Sequence, residues 1–315
     1  MMKEQKKVVI ALGGNAIQTG DGSEEAQQLA IRKTVALLVE IVKRGYQMVI
    51  THGNGPQVGN ILLQQKIAGT QGIPPMSLDT CGAMSQGMIG YWIEKELDDA
   101  LRAEGIEKDV ASIITRTEVD LNDPAFQHPT KPIGPYYTEE EAKQMMEQTG
   151  SKYVEFPGRG WRQVVASPQP MNIIEHSVIE KLVRLDFIVI CAGGGGIPVY
   201  KENHKYIGVD AVIDKDLGAE KLAELIHADI LLILTDVDHV YLHFHEPNEQ
   251  PLKKVKVAKL KKYMEEGHFE EGSMLPKVKA AIQFVESKPD RKAMITSLDK
   301  ALDALLEQAG TIVEN

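Results

Sequence analysis

Apolar residues in this chain come in two rhythms that alternate. Short continuous runs read as buried strands, and longer stretches with apolar positions three and four apart read as helices. The runs are Lys7–Leu12, Tyr46–Thr51, Val110–Thr115, Phe187–Cys191 and Ile230–Thr235. Glu24 to Arg44 has helical composition and stops at Gly45, a residue suited to the left-handed turn that ends helices. Between about Gly82 and Ala103, Ile89, Ile93, Leu97 and Leu101 repeat every four residues. Further helices are expected at about Ile174–Arg184, Leu217–His227, Leu275–Ser287 and Ser297–Glu307. Buried strands alternating with helices predict an α/β fold, a mainly parallel sheet covered on both faces.

One stretch breaks the alternation. Thr117 to Val165 gathers Pro124, Pro129, Pro132, Pro135 and Pro157 with several glycines and aromatics. Only Thr138–Gln148 looks helical there, with Thr138 as cap and Glu141 at the capping-box position. The rest is expected to lack regular structure and to form a protruding lid or small subdomain.

Composition narrows the function. The 315 residues are 43% hydrophobic and 25% charged, which excludes a disordered or fibrous chain. Asp and Glu (45) outnumber Lys and Arg (35), leaving a net charge of −10. That balance disfavours nucleic acid and anionic membranes as partners. Two cysteines, Cys81 and Cys191, are too few for a disulfide framework or a zinc site and fit a reducing cytoplasm. The apolar run after Lys3, Lys6 and Lys7 is too short for a signal peptide, and no run is long enough to span a membrane.

Four glycine clusters are expected where strands end: Gly13-Gly14-Asn15, Gly53-Asn54-Gly55, Gly193 to Gly196, and Gly272-Ser273. Open α/β sheets bind ligands at the carboxyl ends of their strands, and glycine lets backbone N–H groups approach an anion. No P-loop is present, and the dinucleotide fingerprint fails, since Val58 and Pro198 stand where its last glycine belongs. Three lysines adjoin turns: Lys131, Lys215 between Asp214 and Asp216, and Lys277. Rigidly held cations are what phosphoryl transfer requires. His52 reads as structural, His243 and His245 lack further metal ligands at familiar spacing, and Cys191 reads as core.

At this point the sequence resembles a known family, the carbamate kinases of the amino-acid-kinase fold group. The likeness runs from about Val8 to Val313, through VIALGGNA (9–16), THGNGPQVG (51–59), GAMSQGMIGY (82–91), NDPAFQHPTKPIGPYY (122–137), GRGWRQVVASPQP (158–170), AGGGGIPV (192–199), VDAVIDKDL (209–217), ILTDV (233–237) and EEGHFEEGSMLPKV (265–278). The resemblance implies a three-layer αβα sandwich, a homodimer, and the reaction ATP + carbamate ⇌ ADP + carbamoyl phosphate, with Mg2+ bound mainly through phosphate oxygens. It implies a single domain, with a carbamate lobe over about 1–210, a subdomain over about 117–165 and a nucleotide lobe over about 211–315. It assigns Gly13, Gly14, Asn15, Gly53, Asn54, Gly193 and Gly194 to carbamate and the transferring phosphoryl. Lys215 and Lys277 would stabilise its charge, Asp216 would organise both lysines, and Lys131 would reach in from the subdomain. Asp236, Tyr241, Met274 and Val278 would line the nucleotide pocket. Ala11 stands where many of the wider group carry a catalytic Lys, and the resemblance makes Lys215 the substitute. The directions implied are toward ATP, in arginine or related catabolism. Two rival readings are another small-molecule kinase of the same fold and a non-catalytic sensor.

Overall fold

The computed structural model describes residues 5–315. Its centre is an eight-stranded sheet whose strands run, from edge to edge, β15 (Lys254–Lys256), β17 (Thr311–Glu314), β16 (Lys292–Ser297), β12 (Ile230–Thr235), β1 (Lys7–Leu12), β2 (Gln47–His52), β9 (Ile188–Ile190) and β3 (Val110–Ser112). All neighbours are parallel except β16 and β17. β1 sits at the middle, with Val8 opposite Ile230 on one side and Met48 on the other.

Alternate residues of each strand face opposite layers, as pleating requires. Val9, Ala11, Val49, Val189, Leu231, Ile233 and Ile295 pack on one face, beneath α5 (His176–Arg184), α6 (Lys215–Leu225), α7 (Val257–Glu265) and α8 (Met274–Ser287). Val8, Ile10, Leu12, Met48, Ile50, Leu232 and Met294 pack on the other, beneath α1 (Glu24–Lys43), α3 (Leu78–Ala103) and α9 (Ala301–Leu305). The expected αβα sandwich is the fold found. α1 closes with Gly45 at φ +81°, the left-handed glycine expected there.

The proline-rich stretch corrects the expectation of irregular structure. β5 (Lys131–Tyr137), β7 (Gly160–Val165) and β6 (Lys152–Phe156) form an antiparallel sheet, with α4 (Glu139–Thr149) between β5 and β6 in the chain. Pro132 and Pro135 are tolerated because β5 is an edge strand. Its register shifts between Ile133 and Tyr137, around Gly134 at φ +69°, and that bulge erases the two-residue rhythm. The capping box of Thr138 and Glu141 is formed as read. Thr117 belongs elsewhere, to β4 (Arg116–Glu118) in a four-stranded sheet with β8 (Asn172–Ile173), β10 (Ile197–Glu202) and β11 (Lys205–Gly208). β13 (Val240–Leu242) and β14 (Gln250–Leu252) form a separate hairpin.

Two more local readings change. The sequence pattern passed over α2 (Gly55–Thr70), whose Gly55-Pro56 start reads as a turn, although proline suits a helix's first turn. The last expected helix, Ser297–Glu307, is a 3-10 turn over Leu298–Lys300 followed by the short α9.

Candidate active site

Four central parallel strands end side by side at one edge of the fold, and three of the four glycine clusters follow them. β1 leads into Gly13-Gly14, β2 into Gly53, and β9 into Gly193–Gly196. The fourth cluster is a correction: Gly272 lies in the turn between α7 and α8, after a helix. It nonetheless reaches the same place. A cavity of about 240 Å³ is lined by Gly14, Gly53, Asn54, Gly194, Gly272, Lys131, Lys215, Asp216 and Lys277, among others.

Three helices begin at this cavity. Gly55, Pro56 and Gln57 of α2, Lys215 and Asp216 of α6, and Lys277 in the first turns of α8 all stand on its wall. The positive ends of three helix dipoles therefore lie beside one small volume, which favours an anion.

The charged centre is a triad. Asp216 is 2% exposed. Its Oδ1 accepts from Lys215 Nζ at 2.5 Å and its Oδ2 from Lys277 Nζ at 3.0 Å. Lys277 Nζ also donates to the Ser273 carbonyl at 3.1 Å. Burial pushes the Asp216 carboxyl up, but the two ammonium groups outweigh burial and hold it below its ordinary value. The carboxylate stays charged and fixes both lysines. Lys215 leans on Gly53, where a Cβ would lie 3.2 Å from the lysine Cδ.

Lys131 opens β5 of the three-stranded sheet. Its Nζ donates to Asp214 Oδ2 at 2.8 Å, while Asp214 Oδ1 accepts from the Asp216 backbone N–H at 2.9 Å and so caps α6. One carboxylate thus ties β5 to α6, the helix that carries Lys215 and Asp216. Sequence reasoning placed Asp214 beside Lys215 but gave it no role. The signal was available in the Asp-Lys-Asp run, whose first Asp stands where a helix cap is expected.

The glycine turn after β9 is held against its neighbours. Gly194 has φ +63°, and a Cβ there would come within 2.3 Å of the Asn54 amide. Asn54 is itself fixed, donating through Nδ2 to Ser85 Oγ at 2.8 Å, and Ser85 donates to the Gly82 carbonyl at 2.7 Å. A smaller hollow beyond Asn54 is lined by Gly193 and Gly194.

Not every expected site residue reaches the lysine-lined cavity. Gly13 approaches the Leu234 carbonyl. Asn15 Nδ2 donates to Asp236 Oδ1 at 2.6 Å, which couples the β1 turn to the end of β12. Tyr241 lies in β13, with its ring 5.6 Å from Phe244. Met274 opens α8 and packs partly into the core. Val278 is fully buried in the core, so its side chain faces no open pocket.

His52 and Cys191, read from the sequence as structural and core, are both buried. His52 is buried, and burial brings its imidazole down to about 4, with the Gly53 carbonyl 2.8 Å from Nδ1. Burial raises the Cys191 thiol. Sequence reasoning missed the glutamines. Gln57 Nε2 donates to Gln18 Oε1 at 3.0 Å and to Gln27 Oε1 at 2.7 Å, and Gln18 and Gln57 both line the cavity.

A cavity of this kind, glycine turns and lysines at the carboxyl edge of a parallel sheet, is that of a phosphoryl-transfer protein. The model of the amino acid kinase family matches residues 6–297. The chain is 53% identical over 310 residues to carbamate kinase of Latilactobacillus sakei, covering 98% of this chain and 99% of that one. It is equally similar to carbamate kinase 2 of Staphylococcus aureus (strain bovine RF122 / ET3-1), at 53% over 311 residues with the same coverage. Among solved structures it resembles carbamate kinase from Giardia lamblia bound to AMP-PNP, with TM-score 0.94, 43% identity and 99% of each chain covered. The chain belongs to the amino acid kinase family, and within it to the carbamate kinases.

Proposed function

We propose that this cavity transfers phosphate reversibly between ATP and carbamate, with ADP and carbamoyl phosphate as the other pair. The observation that carries the reading is the Lys215–Asp216–Lys277 triad at the meeting point of three helix N-termini. Carbamate already bears an oxyanion, so no general base is needed. Its oxygen attacks the γ-phosphorus in line, and the bond from that phosphorus to ADP breaks. The protein holds both ends and neutralises the oxygens of the transferring group. Lys215 and Lys277 are the cations for that task, and Asp216 keeps them still. The backbone of Gly14, Gly53 and Gly194 lies on the wall where those oxygens are to be held.

Lys131 closes the carbamate end. In the unliganded state its ammonium is satisfied by Asp214, so a bound anion competes for it and draws β5 inward. We place the nucleotide along the β12 edge, by Asp236, Tyr241 and Met274, with Gly13, Asn15 and Gly193 backing the phosphate turns and Val278 supporting from below. A bound Mg2+ would supply charge neutralisation on the nucleotide's phosphate oxygens. Among the described residues no three His, Cys, Asp or Glu side chains converge as a cage.

We read the physiological direction as ATP synthesis in arginine or related catabolism, in the cytoplasm. Two buried, unpaired cysteines accord with a reducing compartment, and no described helix is long and apolar enough to cross a membrane. We also propose a homodimer. α3 exposes Met84 and Tyr91 on one stripe, and the exposed Ile114 reaches to within 3.8 Å of the Cβ position of Gly87 between them. An apolar stripe of this kind suits a second copy, and sedimentation of Tyr91→Glu as a monomer would support that face.

The deciding experiment is ATP formation from ADP, carbamoyl phosphate and Mg2+. A folded sample that makes no ATP overturns the reading.

A further inference from the structure

Each lysine at the active cavity is held by a carboxylate, Lys131 by Asp214 and Lys215 and Lys277 by Asp216. Lys66 is not. It lies on α2, half-buried at the seam with the subdomain, and among the described residues it makes no ion pair. Its Nζ donates only to the neutral Gln163 Oε1, at 3.3 Å, and stands 6.0 Å from the centre of the Tyr137 ring. The hollow around it is lined by Gly59, Ile133, Gly134, Tyr137 and Gln163. The Tyr137 hydroxyl is buried without a hydrogen-bond partner among the described residues. Ile133 forms a wall common to this hollow and to the active cavity.

We propose that Lys66 is a covalent carbamoylation site, modified by isocyanic acid shed from carbamoyl phosphate. The inference rests on carbamoyl phosphate being this protein's substrate. The chemistry balances without a further reagent. Carbamoyl phosphate loses a proton from nitrogen to its phosphate as the C–O bond to phosphate breaks, giving isocyanic acid and inorganic phosphate. The Lys66 nitrogen then attacks the isocyanate carbon. The C=N pair moves to the isocyanate nitrogen, which takes the proton the amine gives up, and a neutral urea remains.

Only an unprotonated amine can attack, so an ion-paired lysine is protected and an unpaired, desolvated one is not. Desolvation lowers Lys66 from its ordinary value, with no opposing carboxylate. Lys7 is also lowered by burial, but Glu180 and Asp229 raise it and its ammonium donates to the Ile226 carbonyl. The urea places a neutral carbonyl and amide beside the Tyr137 ring, where the ammonium stood. It also adds bulk against β5, the strand that begins with Lys131. Modification is therefore expected to displace Lys131 and reduce activity, linking an excess of carbamoyl phosphate to the position of the subdomain.

The test uses potassium cyanate and, separately, carbamoyl phosphate without ADP, followed by peptide mass spectrometry over time. At pH 7 the Lys66 peptide is expected to gain a carbamoyl group at least ~5-fold faster than that of Lys259, an exposed lysine that also lacks a carboxylate partner among the described residues. The ratio should shrink at pH 10, where exposed lysines deprotonate as well. Lys66→Arg should keep its starting activity and lose it at least ~5-fold more slowly in cyanate than the unaltered protein. Equal labelling of Lys66 and Lys259 by cyanate overturns the proposal, as does labelling by cyanate but not by carbamoyl phosphate. Neither arm requires turnover, so absent ATP formation with intact Lys66 labelling would overturn the carbamate kinase reading alone.

Discussion

Asp216 and Glu220 lie one turn apart on α6 and are nearly equally buried, at 2% and 3% exposed. Their chemistry is opposite. Asp216 faces the cavity, where Lys215 and Lys277 overcome the burial penalty and keep it ionised. Glu220, one turn deeper, has no hydrogen bond or ion pair among the described residues. Burial lifts its carboxyl to about 7, with Glu224 adding to the rise and Lys221 and Arg291 opposing it. The same helix thus carries a buried charge held by two ammonium groups and a buried acid that titrates near neutral pH. Depth alone does not decide which; the number of cations within contact does.

The comparison can be broken first at the lysines. Lys215→Ala or Lys277→Ala should each lower kcat by roughly 10²–10³, the cost of one electrostatic donor at a transition state. Near-normal kcat in either variant removes that lysine from the mechanism. Next comes Asp216→Asn, for which kcat should fall at least ~10-fold. Thermal unfolding of the same variant should also show a loss of about 1–3 kcal/mol at pH 7, because two neighbouring ammonium groups lose a buried counter-charge. A variant that loses stability while kcat holds would make Asp216 a purely structural group.

Lys131→Ala should affect ligands unequally. It is expected to weaken carbamoyl phosphate roughly 10-fold more than ADP in equilibrium titration. Equal weakening would mean the subdomain lysine does not sit over the carbamate end.

Glu220→Gln sharpens the other side of the comparison. The native state holds the Glu220 proton more tightly than the unfolded chain does. Its contribution therefore falls as pH rises from the ordinary value near 4.5 through about 7, and is level above that. Asp216 runs the other way, contributing above its ordinary value near 3.8 and losing that contribution only as pH falls through its lower native one. Glu220→Gln should accordingly raise stability by about 1–3 kcal/mol at pH 8 and change it little at pH 5. No difference between the two pH values, measured by denaturant unfolding, would mean Glu220 ionises freely.

The same contrast explains what could be read from sequence. The central strands were legible because they are buried on both faces and leave unbroken apolar runs, so Lys7–Leu12 and Ile230–Thr235 are found as expected. Lys215, Asp216 and Lys277 were legible because helix starts and glycine turns announce themselves locally. β5 was hidden, since Pro132, Pro135 and the Gly134 bulge are local breakers whose strand exists only through β7. The Lys131–Asp214 pair joins residues 83 positions apart, and nothing near either one predicts the other. Glu220 was equally silent: a glutamate beside a lysine on a helix reads as surface, and only the tertiary packing buries it.

The place of β1 has a consequence for how the protein is made. Its neighbour β2 follows closely in the chain, but its other neighbour, β12, begins at Ile230. At a ribosome adding roughly 5–20 residues per second, the open edge of β1 waits on the order of 10–40 s for the strand that covers it. Through that interval an apolar strand with free backbone donors and acceptors is available to other nascent chains. The seam that later supports Gly13 and Asn15 against Leu234 and Asp236 closes late in synthesis. Slower translation of residues 13–230 would lengthen that exposure, and a chaperone that shields this edge would shorten it in effect.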